Sequence, residues 1–145
     1  MAHDSQRNRT VLFQSNYASV GTWEWDGTSW SPQTNGPQPP STETAAMCYD
    51  SSRGRCVLVN RFGELWEWDG MSWQNRNALQ PNTSRFTALA YDSARKRVVK
   101  FGGDGVQPSF NAITAEWDGL SWTTPNLIAS PPPRAAHAMA YDAAR

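Results

Sequence analysis

The chain's 145 residues suit one compact unit, 1–145, and a 39% hydrophobic content with eight tryptophans is enough for a packed core. Thirteen Lys and Arg balance thirteen Asp and Glu, which removes the electrostatic case for nucleic acid or an acidic partner. No apolar run is long enough for a membrane span or a signal-peptide core, so no membrane partner is expected and a cytoplasmic location is favoured.

In chain order, His3–Arg9 (HDSQRNR) reads as a turn, Arg9–Gln14 (RTVLFQ) as a strand and Gln14–Gly21 as a loop. TWEWDGTSW, Thr22–Trp30, follows as two short strands around Asp26-Gly27, where Gly can take positive φ in a tight hairpin. The same pattern returns as LWEWDGMSW around Asp69-Gly70 and as TAEWDGLSW around Asp118-Gly119. Its Glu falls at Glu24, Glu67 and Glu116, spacings of 43 and 49 that identify an internal repeat. A second element alternates with it: YDSSRGR (Tyr49–Arg55), YDSARKR (Tyr91–Arg97) and YDAAR (Tyr141–Arg145), with HDSQRNR as its variant at the start. Its Asp and Ser are turn formers, able to bond nearby backbone N–H groups. Proline precedes each new unit, at Pro39-Pro40, Pro81 and Pro131–Pro133.

The third unit shows four strand-like runs: Phe86–Tyr91, Arg97–Gly103, Asn111–Trp117 and Ser121–Thr124. No helix of ordinary length fits anywhere. RFTALAYDSARKRVVKFGGDG, followed by AEWDGLSW, resembles the kelch repeat: strand, turn, a strand ending in Gly102-Gly103, then a strand and a Trp-bearing last strand. The resemblance spans nearly the whole chain and is most specific in this unit. Asn60-Arg61 and Ser15-Asn16 stand where the double glycine falls in the other two.

The resemblance implies an all-β propeller of four-stranded blades, A innermost to D outermost, with three blades per chain. Blade 2 is placed at about 44–76 and blade 3 at about 86–125. Strands B to D of blade 1 fall at about 9–34, and its strand A is expected from residues 135–142 of a partner chain. A ring needs about four blades or more, so a homodimer of six blades is the expected closure. Ala136, His137, Ala138, Met139, Ala140 and Tyr141 form the inter-chain closure strand in this reading. The competing reading is an excised or engineered fragment of a larger kelch propeller, with no function of its own.

Repetition also decides how the conspicuous residues are read. Trp25, Trp68 and Trp117 share one repeat position and Trp30, Trp73 and Trp122 another, so inter-blade packing is expected of them. Carbohydrate stacking, as in an oligomeric lectin-like propeller, is the sharper alternative. Asp26, Asp69 and Asp118 with Gly27, Gly70 and Gly119 are structural turn positions on the same ground. Asp4 with Arg7 and Arg9, Asp50 with Arg53 and Arg55, and Asp92 with Arg95 and Arg97 recur together, so a structural role is expected, Asp fixing the turn and Arg supplying hydrogen bonds or a salt bridge. His3 and His137 have no carboxylate or thiolate constellation around them, so no metal is expected. Cys48 and Cys56 flank one hairpin and stand where the next unit has Ala90 and Val98, which favours two small apolar residues over a disulfide. FGGDG is not followed by a helix, so it is no phosphate loop. No catalytic residues and no cofactor are expected.

The irregular segments remain. Gln14–Gly21, Asn60–Glu64 and Gly102–Asn111 would share one propeller face, and Tyr17, Arg61, Phe62, Gln107 and Phe110 are the candidate binding residues there. The expected function is a non-enzymatic scaffold or interaction module, its partners a second copy of itself and an unidentified protein or glycan.

Overall fold

A computed structural model describes residues 1–16, 19–104 and 109–144; Tyr17 and Gln107 lie outside the described residues. The chain is all-β. Three four-stranded antiparallel sheets follow one another, each built from consecutive strands. The first holds β1 (Ala2–Asp4), β2 (Arg9–Ser15), β3 (Val20–Trp25) and β4 (Trp30–Gln33). The second holds β5 (Ala45–Asp50), β6 (Arg55–Asn60), β7 (Leu65–Trp68) and β8 (Trp73–Asn75). The third holds β9 (Ala88–Asp92), β10 (Arg97–Phe101), β11 (Thr114–Trp117) and β12 (Trp122–Thr123).

Local chemistry sets the strand ends. Phe86 sits at φ +56°, so the first strand of sheet three starts at Ala88 rather than at Phe86. Gly102 and Gly103, at φ +66° and +111°, end β10 at Phe101, short of the expected Gly103. The last hairpin of each sheet turns on Asp-Gly: Asp69 Oδ1 accepts from the Met71 and Ser72 amides, and Asp26 and Asp118 repeat the pattern.

One expectation about the ends needs correction. The first sheet has an innermost strand of its own, because Ala2–Asp4 pairs with Val11–Arg9. The turn therefore begins after Asp4, not at His3. Ala136–Tyr141, expected to pair with a partner chain, belongs to no sheet of its own chain.

The sheets pack face against face in chain order. Val11 and Phe13 of the first meet Cys56, Leu58, Trp68 and Trp73 of the second in one core. Val57, Val59 and Leu65, on the other face of the second sheet, meet Leu89, Val98 and Trp117 of the third. Sheet two, covered on both sides, is therefore buried without alternation along β6 and β7. Cys48 and Cys56 fall into different cores and remain free, as the repeat comparison anticipated. Lys100 is fully buried at the position Leu58 holds in sheet two, and its ammonium donates to the Asn82 carbonyl at 2.8 Å.

Candidate functional site

The contacts between sheets obey one rule, applied at each step. Within a sheet, the turn Asp and the β-strand Glu hold one Arg between them. Arg7 bonds Asp4 at 2.6 Å and Glu24 at 2.6 and 3.1 Å; Arg53 bonds Asp50 at 2.7 Å and Glu67 at 2.5 Å. Arg95 does the same with Asp92 at 2.7 Å and Glu116 at 2.6 Å. The next sheet then adds an indole. Trp68 donates Nε1–H to Glu24 at 2.9 Å, and Trp117 donates to Glu67 at 3.2 Å.

Two further contacts repeat in step, and a third is made at one interface only. Gly70 lies over Arg7 and Gly119 over Arg53; a Cβ on either would come within 2.7 and 3.0 Å of the Arg side chain. Trp73 donates to Thr22 Oγ1 at 2.7 Å, whereas Leu65 stands at the equivalent sequence position in the second sheet and Trp122 Nε1 has no acceptor among the described residues. Tyr49 faces Asp4 across the first interface, and burial together with that carboxylate pushes its pKa up to about 12. Tyr91 faces Asp50 and is raised for the same reasons, burial first. Burial alone would raise the Asp50 carboxyl, but hydrogen bonds from Arg53 and Ser52 hold it below the ordinary aspartate value.

The tryptophans accordingly sit between sheets wherever a preceding sheet exists. Trp68, Trp73 and Trp117 are 1% exposed, but Trp30, with no sheet before it, is 42% exposed. Within each sheet the two indoles of the hairpin pack tilted, at 5.6, 5.6 and 5.7 Å between centroids. Sequence reasoning grouped these residues by position but did not find that Glu, Arg and Trp form one bonded unit. The signal was present, since Glu recurs in register with Trp in all three repeats.

Both outer faces carry half of this contact. On sheet three, Glu116 holds Arg95 but no described indole reaches it, and Arg95 is 57% exposed. On sheet one, Trp25 has no preceding Glu, and a Cβ on Gly27 would meet nothing within 4 Å. Residues 134–142 lie on the outer face of sheet three. Ala136 N–H donates to Phe86 at 2.9 Å, the Arg134 carbonyl accepts from Gly103 at 2.8 Å, and His137 meets Phe101 edge to face at 5.5 Å. Tyr141 faces Asp92 as Tyr91 faces Asp50.

The loops after the second strand of each sheet gather at one end with the links between sheets, opposite the Asp-Gly turns. There Arg61 stacks on Phe62 at 4.5 Å, and its Nε is buried with no partner among the described residues. A groove of about 510 Å3 on one side is lined by Ser15, Asn16, Ser41, Thr42, Glu43 and Arg61. On the other side Arg61 and Phe62 border Arg85, which Asp104 holds at 2.7 Å. Phe62 is 44% and Phe110 55% exposed; Phe110 reaches this region through its bridge to Asp104. Among the described residues no group of three His, Cys, Asp or Glu side chains is placed to hold a metal, and no helix is long and apolar enough to cross a membrane. No protein-family model matches the chain, and no curated protein is similar to it at a significant level.

Proposed function

We propose that this chain is a non-enzymatic propeller scaffold of kelch-like blades, closed into a six-bladed ring by two copies joined head to tail. The carrying observation is the complementarity of the two outer faces: Glu116 with Arg95 on one, and Trp25 with Gly27 on the other. Joined, they would remake the contact already made between sheets one and two and between sheets two and three. The same surfaces meet twice in a ring of two copies, which leaves no face over. The rim bearing Arg61 and Phe62 is then where the scaffold meets its ligand, a protein in the first reading.

Light scattering on purified protein tests the closure; the expected mass is twice 16.2 kDa. A well-folded monomer by circular dichroism at all concentrations overturns it. Trp25→Phe, which removes the indole donor to Glu116 together with part of the ring, weakens the dimer about tenfold or more, as the loss of a hydrogen bond to a charged acceptor requires.

Carbohydrate binding is the second reading, favoured by the hydroxyl, amide and carboxylate lining of the groove next to Arg61 and the exposed Phe62 ring. A glycan panel read by thermal shift decides it: a ligand whose effect disappears in Arg61→Ala supports a lectin, and no shift across the panel removes it.

A further inference from the structure

β1 covers only part of the inner edge of its sheet. Of the seven residues of β2, it pairs with Val11, Thr10 and Arg9, and no described strand lies against the inner edge of Leu12–Ser15. In the second sheet the equivalent edge is fully used, with Ala45–Asp50 pairing Asn60–Arg55 rung by rung.

Residues 136–142 have the sequence and the face of such an innermost strand. Met139-Ala140-Tyr141-Asp142 corresponds to Met47-Cys48-Tyr49-Asp50 and to Met1-Ala2-His3-Asp4. Ala136 takes φ +55°, matching φ +56° at Phe86, five residues before the corresponding Tyr in each case. His137, Met139 and Tyr141 are half-buried, while Ala136, Ala138 and Ala140 between them are exposed, the alternation of a strand with one face covered. The exposed side is small where it must be small: Ala2, in the position of Ala140, is 8% exposed in the core with Cys56 and Leu58.

Transferring the register of the second sheet pairs His137 with Gln14, Ala138 with Phe13, Met139 with Leu12, Ala140 with Val11, Tyr141 with Thr10 and Asp142 with Arg9. The last three rungs are those β1 already holds. Building on the two-copy ring, we propose that Ala136–Asp142 of a second copy takes the whole inner edge of β2 and that β1 gives up its place to it. The incoming strand makes six rungs where β1 makes three. It also brings a Tyr to the place of His3 and an Asp to the place of Asp4, the partner of Arg7. β1 is thus a placeholder, holding the sheet together until the partner arrives.

Two cysteine pairs test this, each compared with itself under oxidising and reducing conditions. Thr10→Cys with Tyr141→Cys places both thiols on a rung that exists only after exchange; the expected product is a disulfide-linked dimer on a non-reducing gel. Thr10→Cys with His3→Cys instead pins β1 within one chain; oxidation should weaken dimer formation at least tenfold, and reductant should restore it. If the unmodified protein is dimeric but the first pair gives no linked dimer, or pinning leaves the dimer unchanged, the exchange is wrong and the ring survives. An unmodified protein that is monomeric at all concentrations overturns the ring and the exchange together.

Discussion

At the scale of single residues, the buried charges divide into those with full partnerships and one without. Glu67 sits at 4% side-chain exposure and takes a bond from Arg53 and one from Trp117, with Arg76 at 3.6 Å. Lys100 has one carbonyl partner among the described residues, and burial lowers its ammonium pKa from 10.5 to about 8. Folding therefore opposes the charged form. The unfolded chain binds the extra proton between pH 8 and 10.5, so native stability rises with pH across that window and is lowest below it. Lys100→Leu, which copies Leu58, removes this cost; urea denaturation at pH 7 should show a gain of about 1–3 kcal/mol that shrinks toward pH 10.5. A destabilised variant would show that the Asn82 bond outweighs the burial of the charge.

At the scale of elements, the Asp-Gly hairpins were legible from the sequence, because Asp side-chain bonding and positive φ at Gly are local requirements. Their second role was not. Gly27 and Gly70 have φ of +102° and +96°, yet only Gly70 lies under a neighbouring sheet, against Arg7. Gly27→Ala should cost about 1 kcal/mol from backbone strain alone. Gly70→Ala should cost roughly twice that, since Arg7 is tied to Asp4 and Glu24 and does not yield easily. Denaturant midpoints on the two variants separate the terms; equal losses would mean the Arg contact contributes nothing. The strand β1 escaped sequence reading for a related reason: three residues carry too little alternation to signal a strand, and only pairing with β2 reveals one. The repeat count, the hairpins and the shared Trp positions were all readable because each recurs. The Tyr–Asp and Trp–Glu links across sheets were not, because they join residues some 41 to 50 positions apart.

At the scale of the whole molecule, each outer face lacks the neighbouring sheet that the inner faces have. Trp30 and Thr114 occupy on those faces the places of Trp73 and Thr22, which bond at 2.7 Å inside the chain. In the two-copy ring they are expected to bond across the seam. Trp30→Phe and Thr114→Val should each weaken self-association about thirtyfold, and the double variant should lose little more, as a neutral hydrogen bond of about 1 kcal/mol lost at each of two seams implies. Fully additive losses, measured by sedimentation, would place the two residues in separate contacts. The rim is set apart from this scheme: Arg61, Phe62 and Asp104 do not repeat, so no comparison between units could assign them.

The inter-sheet contact is directional, since each sheet offers Glu, Arg and Asp to the one after it and Trp, Gly and Tyr to the one before. Such a code states which surface follows which, and contains nothing that counts. The number of sheets in an assembly is then a matter of the angle between neighbours. Recognition would read the same in a longer array, so duplicating the coding segment would add sheets without inventing a single new contact.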